Sequence, residues 1–126
     1  MRINWSLEEM ILAADVADGL QWRGVNAKTP QVVELSVLLQ AARYHPTSDR
    51  DENFRSVNSV GMKINNLRAS HPSHAGVGLR VSEAEISVVE MFVDEPHRMR
   101  SVASKLKGRI YVGQESLGDA KRFLAE

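Results

Sequence analysis

One short pattern, Ser-x-x-Glu, stands at the head of two runs of apolar residues spaced three and four apart: Ser6 with Glu9, and Ser82 with Glu85. A serine so placed accepts from the backbone N–H three residues on, and the glutamate reaches back to the serine N–H. Each pattern therefore closes a helix N-terminus and satisfies donors that would otherwise be orphaned. Leu7, Met10, Ile11, Ala14 and Ala17 follow the first box as one helical stripe, with Trp5 placed to staple onto Met10. Ile86, Val89, Phe92 and Val93 follow the second.

The rest of the chain extends the same reading. Gly19 and Gly24 bracket the end of the first helix. Thr29 and Pro30 open a second, in which Val32, Leu35, Leu38, Leu39 and Ala42 face inward and which Pro46 stops near Tyr44. His45 to Asn53 is polar apart from one proline and reads as an exposed, mobile loop. A third helix is expected over roughly Arg55 to Ala69, with Val57, Val60, Ile64 and Leu67 on one side. His71 to Val81 reads as a second loop. Beyond Pro96 a fifth helix, capped by Asp94, turns Met99, Val102, Ala103 and Leu106 inward and stops at Gly108. Arg109 to Val112 reads as a short strand, and Glu115 to Ala125 as a last helix. The expectation is an all-α, compact multi-helix domain over residues 3–110 with a helix-turn-helix-like pair and a minor β element near the C-terminus. Residues 111–126 form a C-terminal helix or linker to a following domain.

Cysteine is absent, which excludes a disulfide framework, thiolate metal sites and a Cys nucleophile, and fits a reducing cytoplasm. No apolar run reaches the length of a membrane span, so no membrane partner is expected. Of the four histidines, His45, His71, His74 and His97, the first opens the exposed loop, and His71 and His74 read as surface-loop residues that flank Pro72 and Ser73, where a helical zinc motif cannot form. Neither a Gly-x-Ser-x-Gly elbow nor a phosphate loop is present. The chain is thus read as non-catalytic and without a cofactor of its own.

Net charge is zero, but the charges are segregated. Asn53 to Ser82 holds Arg55, Lys63, Arg68 and Arg80 and no acid; Pro96 to Gln114 holds Arg98, Arg100, Lys105, Lys107 and Arg109 and no acid. Such runs are commonly solvated helix faces, yet a neutral chain arranged this way can present a basic surface. Opposite the apolar stripe of the third helix lie Arg55, Ser59, Met62 and Asn66, flanked by Lys63 and Asn65. Asn and Arg match the edges of adenine and guanine, while Ser and Lys suit phosphates. Arg55, Asn58, Ser59, Lys63, Asn66 and Arg68 are accordingly the expected contacts to double-stranded DNA, with Arg98, Arg100, Lys105, Lys107 and Arg109 as a secondary basic patch. About ten residues join the second and third helices, against roughly three or four in a standard helix-turn-helix.

Those residues also carry a family resemblance. Trp5, Ser6 and Glu9 give W-[ST]-x-x-E; Glu34 to Leu39 give E-L-S-x-L-L; Phe54, Arg55, Asn58, Val60, Lys63 and Asn66 give F-R-x-x-N-x-V-x-x-K-x-x-N; Gly78 and Leu79 trail behind. The ordered set resembles the N-terminal domain that precedes HNH endonuclease modules in McrA-type, modification-dependent (type IV) restriction proteins. Where that family often has Asn-Gly-Val, this chain has Asn58-Ser59-Val60. The resemblance implies a longer parent that recognises methylated or phosphorothioate DNA and cuts it in a separate, divalent-metal-dependent domain, and partners that are DNA and the other domains of that polypeptide. The competing expectation is a protein-docking or homodimerisation module, with the third helix covered and Met62 as an anchor; a free-standing regulator is a third.

Overall fold

A computed structural model describes residues 3–74 and 82–126, so Gly78 and Leu79 lie outside the described residues. The fold is all-α: α1 (Leu7–Gly19), α2 (Pro30–Ala41), α3 (Val57–Ala69), α4 (Glu83–Asp94), α5 (Pro96–Tyr111) and α6 (Asp119–Leu124), with single 3₁₀ turns at Thr47–Asp49 and Pro72–His74. No strand occurs among the described residues, and no helix is long and apolar enough to cross a membrane.

α1 is the axis of the molecule and touches each of the other five helices. Ile11, Leu12, Ala13 and Ala14 are all fully inaccessible, so the middle turn of this helix is enclosed, and its alanines let neighbours approach closely. Both capping boxes form, Ser6 with Glu9 on α1 and Ser82 with Glu85 on α4. Val32, Leu35 and Leu39 of α2, Val60, Ile64 and Leu67 of α3, Val88, Val89 and Phe92 of α4, and Met99, Val102 and Leu106 of α5 complete a single core.

Several sequence expectations are corrected. α5 runs through Gly108 to Tyr111 in place of the short strand, because Leu106 and Ile110, four apart, are both buried and hold the helical register. Gly113, at φ 69°, is the stop. Asp94 ends α4 and does not cap α5, whose N-cap is Glu95 with no side-chain cap bond. On α4, Ile86 and Val93 are exposed and Val88 is buried, a rotation of the expected stripe. The last helix is shorter than expected. Ser116 donates its N–H and hydroxyl to Asp119, and the Glu8 carboxylate of α1 accepts the N–H groups of Gly118 and Ala120 at 3.1 and 2.9 Å, so α6 is capped by a side chain from the other end of the sequence. Ala120 is fully buried in the same core.

The polar loop after α2 is pinned. Arg50 donates to the carbonyls of Gln40, Ala42 and His45, and its guanidinium lies 4.5 Å from the Phe54 ring centroid.

Candidate functional site

α3 begins two residues later than its hydrophobic period suggests, and the difference decides the site. Ser56 is the N-cap, its hydroxyl accepting from Ser59 N–H, and Arg55 just before it turns the chain at φ 47°. A non-glycine residue in that region costs on the order of 1 kcal/mol and persists only where surroundings fix it. They do so from three directions. Ser36 Oγ of α2 donates to Arg55 O at 2.7 Å, and Gln40 Nε2 donates to Phe54 O at 3.2 Å. The guanidinium forms a two-pronged pair with Glu9, Nε to Oε2 at 2.7 Å and Nη2 to Oε1 at 3.0 Å. It also donates to the carbonyls of Ile3 and Asn4, and lies 4.5 Å from the Trp5 and 4.7 Å from the Phe54 ring centroids.

Arg55 is 4% exposed and Glu9 fully buried, so Arg55 is a structural residue and not the surface DNA contact expected from helical periodicity. His45, expected on the surface, is mostly buried and places Nε2 2.7 Å from Glu9 Oε1. So short a contact to a carboxylate requires the proton on Nε2, and the 3.4 Å approach of Arg55 Nη2 to the same nitrogen is then a packing contact. Burial pulls the Glu9 carboxyl upward, but the bonds from Arg55, His45 and the Ser6 N–H together hold it below the usual carboxylate range.

Outward of this node, Ile3–Trp5, Asp51–Ser56 and the exposed face of α3 enclose an open cleft of about 550 Å³. Of the expected contacts, Ser59, Lys63 and Asn66 line it, as does the mostly buried Arg55, together with Met62, which is 66% exposed. Asn58 is exposed but stands outside the lining. Arg68 points the other way, its Nε donating to Trp22 O at 2.8 Å. Asn65 exchanges both amide bonds with the Val25 backbone, at 3.1 and 2.9 Å, and fastens the α1–α2 connection to α3. The face is acid-free only along the sequence: Glu85 of α4 comes within 3.4 Å of Lys63 Nζ, and Asp51 stands on the cleft wall. Asn4 and Asn53 are cleft residues that helical spacing could not reveal, since they lie on irregular backbone.

The secondary basic patch on α5 is also altered by the fold. Arg98 pairs with Glu95 at 2.8 Å, Arg100 with Asp18 at 3.2 Å, Lys105 with Glu126 at 2.7 Å, Lys107 with Asp15 at 3.5 Å and Arg109 with Asp119 at 3.6 Å. Each cation of the run thus faces a carboxylate of the same chain. Desolvation raises the Asp15 carboxyl pKa despite Lys107.

Among the described residues no group of three or more His, Cys, Asp and Glu is placed to hold a metal ion. His71 instead stacks on Trp22 with ring centroids 4.5 Å apart, and burial, assisted by neighbouring His74, holds its pKa below the ordinary value. Comparison with family models, with curated proteins and with solved structures gives no match to the chain.

Proposed function

We propose that this chain is a non-catalytic DNA-positioning domain of a larger, modification-dependent HNH endonuclease acting on methylated or phosphorothioate DNA. The observation that carries the reading is the convergence of three separated sequence pieces on one node. Trp5 and Glu9, Ser36, and Phe54 with Arg55 all meet at the Arg55 turn. What that node orients outward is the cleft with Ser59, Lys63 and Asn66. Part of the pattern that carries the resemblance thus gathers at this node and cleft, while Leu35, Leu39 and Val60 of the same pattern lie in the core. In this reading the divalent metal and the cutting chemistry belong to a separate domain of the parent, and the partners are double-stranded DNA and the sibling domains.

The charge arrangement bears on how such binding behaves. Lys63 is the cleft's cation outside the buried Arg55 node and has Glu85 3.4 Å away, and the five cations of α5 likewise each face a carboxylate of the chain. Displacement of counterions is then small, and the log–log salt slope should be about −1 to −2, equivalent to one or two phosphates. Anisotropy titrations of methylated, phosphorothioate and unmodified duplexes between low and moderate salt measure this. Lys63→Ala should reduce the slope by about one unit, whereas charge reversal at Arg100 and Lys105 should leave it unchanged. Loss of binding only on the α5 reversal would move the interface to that helix.

A second reading, docking onto protein, is favoured by one observation: Met62 stands 66% exposed at the cleft beside half-buried Trp5, an apolar pair suited to a protein anchor. Absence of affinity for any DNA at low salt would make this the better account.

A further inference from the structure

In an ordinary recognition helix the reading side chains protrude into a groove about 12 Å wide. Here the corresponding face of α3 is walled by two stretches of irregular backbone, Ile3–Trp5 and Asp51–Ser56. The enclosed volume of about 550 Å³ lies in the range of small-ligand sites, roughly 300–1,000 Å³. Three carboxamides line it, Asn4, Asn53 and Asn66, and their side chains bond to no other described residue. Asn26 and Asn65, by contrast, are consumed in fastening the α1–α2 connection. A free carboxamide offers a donor and an acceptor side by side, the complement of a nucleobase edge. Trp5, whose ring already has the Arg55 guanidinium at 4.5 Å and Lys63 Nζ at 5.5 Å, and Lys63 itself stand on the same cleft.

We propose that this cleft takes a single unstacked nucleotide of DNA, extruded from the duplex or presented on a single strand, and does not read a base-paired groove. The inference rests on the DNA-positioning reading and deepens it. Inside a duplex a modified base shows only its groove edge, whereas an extruded one exposes its whole edge to carboxamides and its face to an aromatic ring. Met62, unbranched and exposed, is able to adapt to the face of a bound base.

The test uses the 126-residue chain and labelled DNA duplexes that are fully paired, carry one bulged base, or carry an abasic residue at the bulge, alongside a single strand of the same sequence. The bulged base should bind about tenfold more tightly than the paired duplex, because its unstacking is already complete, and the abasic residue should abolish that gain. Asn66→Ala and Asn53→Ala, both outside the core, should each reduce binding of the bulged duplex by about fivefold or more and bring it toward that of the abasic-bulge duplex. Equal affinity for all duplexes, insensitive to both substitutions, would overturn the cleft proposal and leave DNA positioning standing. A second measurement separates the two in the other direction. In a Trp22→Phe background Trp5 is the sole tryptophan, and its quenching by a nucleoside 5′-monophosphate, lost in Asn66→Ala, would support the cleft's ligand even if no duplex bound. Absence of both duplex binding and quenching would overturn both.

Discussion

Replacing Glu9 by Gln should be among the most damaging single changes available to this fold. Glu9 is fully buried and accepts from Arg55 twice, from His45 and from the Ser6 N–H. Gln keeps the shape and one acceptor but removes the charge, and Arg55, at 4% exposure, cannot turn to water. Breaking a buried pair by removing one partner typically costs about 3–5 kcal/mol. A chain of this length has roughly 6–19 kcal/mol of stability in all, at about 0.05–0.15 kcal/mol per residue. Urea unfolding measures the loss, and with a slope of about 2 kcal/mol per molar the midpoint should fall by about 2 M at unchanged slope. A cycle with Arg55→Met should show a coupling of about 2 kcal/mol or more, since the second substitution removes the stranded charge. Acid titration supplies an independent check. The folded Glu9 carboxyl lies below its ordinary value of 4.5, so the unfolded chain takes up this proton first. The pair's contribution is then fully present above that ordinary value and is lost as pH falls through the folded one. The difference between wild type and Glu9→Gln should therefore shrink below about pH 4.5. A loss under about 1 kcal/mol with an additive cycle would refute the reasoning.

Gly108→Ala should stabilise by about 0.5–1 kcal/mol, because the residue sits within α5 and a Cβ there meets nothing within 4 Å; a lowered Tm would contradict this. Glu8→Ala should cost about 1–2 kcal/mol by orphaning the Gly118 and Ala120 N–H groups. Hydrogen exchange should then accelerate in α6 and not in α3, and uniform acceleration would argue against a local cap.

The helices were legible wherever a local rule governs them. Both capping boxes, Pro30 at the first position of α2, and the apolar spacing of α1, α2, α3 and α5 are contacts between near neighbours in sequence, and the structure reproduces them. The start of α3 was misplaced because hydrophobic period cannot distinguish the first helical turn from a residue turned back at positive φ. Arg55 falls on the polar side of a helix wheel, yet its side chain crosses to the core to meet Glu9, 46 residues earlier. Of the contact set expected on that wheel, Ser59, Lys63 and Asn66 share the cleft, and Arg55 became its support. Arg50 tied down a stretch whose composition reads as free loop, because three main-chain carbonyls converge where its guanidinium reaches.

Charge was the least legible property, and the reason is geometric. A run such as Arg98 to Arg109 is acid-free along the chain, but the field it produces depends on what lies beside α5 in space. α1 lies there, and Asp15 and Asp18 meet Lys107 and Arg100 across 92 and 82 residues of sequence. Glu126 and Asp119, from the chain's last segment, meet Lys105 and Arg109. Partly exposed pairs of this kind add little stability, but they cancel potential, which is what long-range attraction of a polyanion requires. Segregated charge blocks in a neutral helical chain can therefore serve to register one helix against another. A nucleic-acid surface on such a protein has then to be sought where polar groups are left without internal partners, which here is the cleft bounded by Trp5, Asn53 and Asn66.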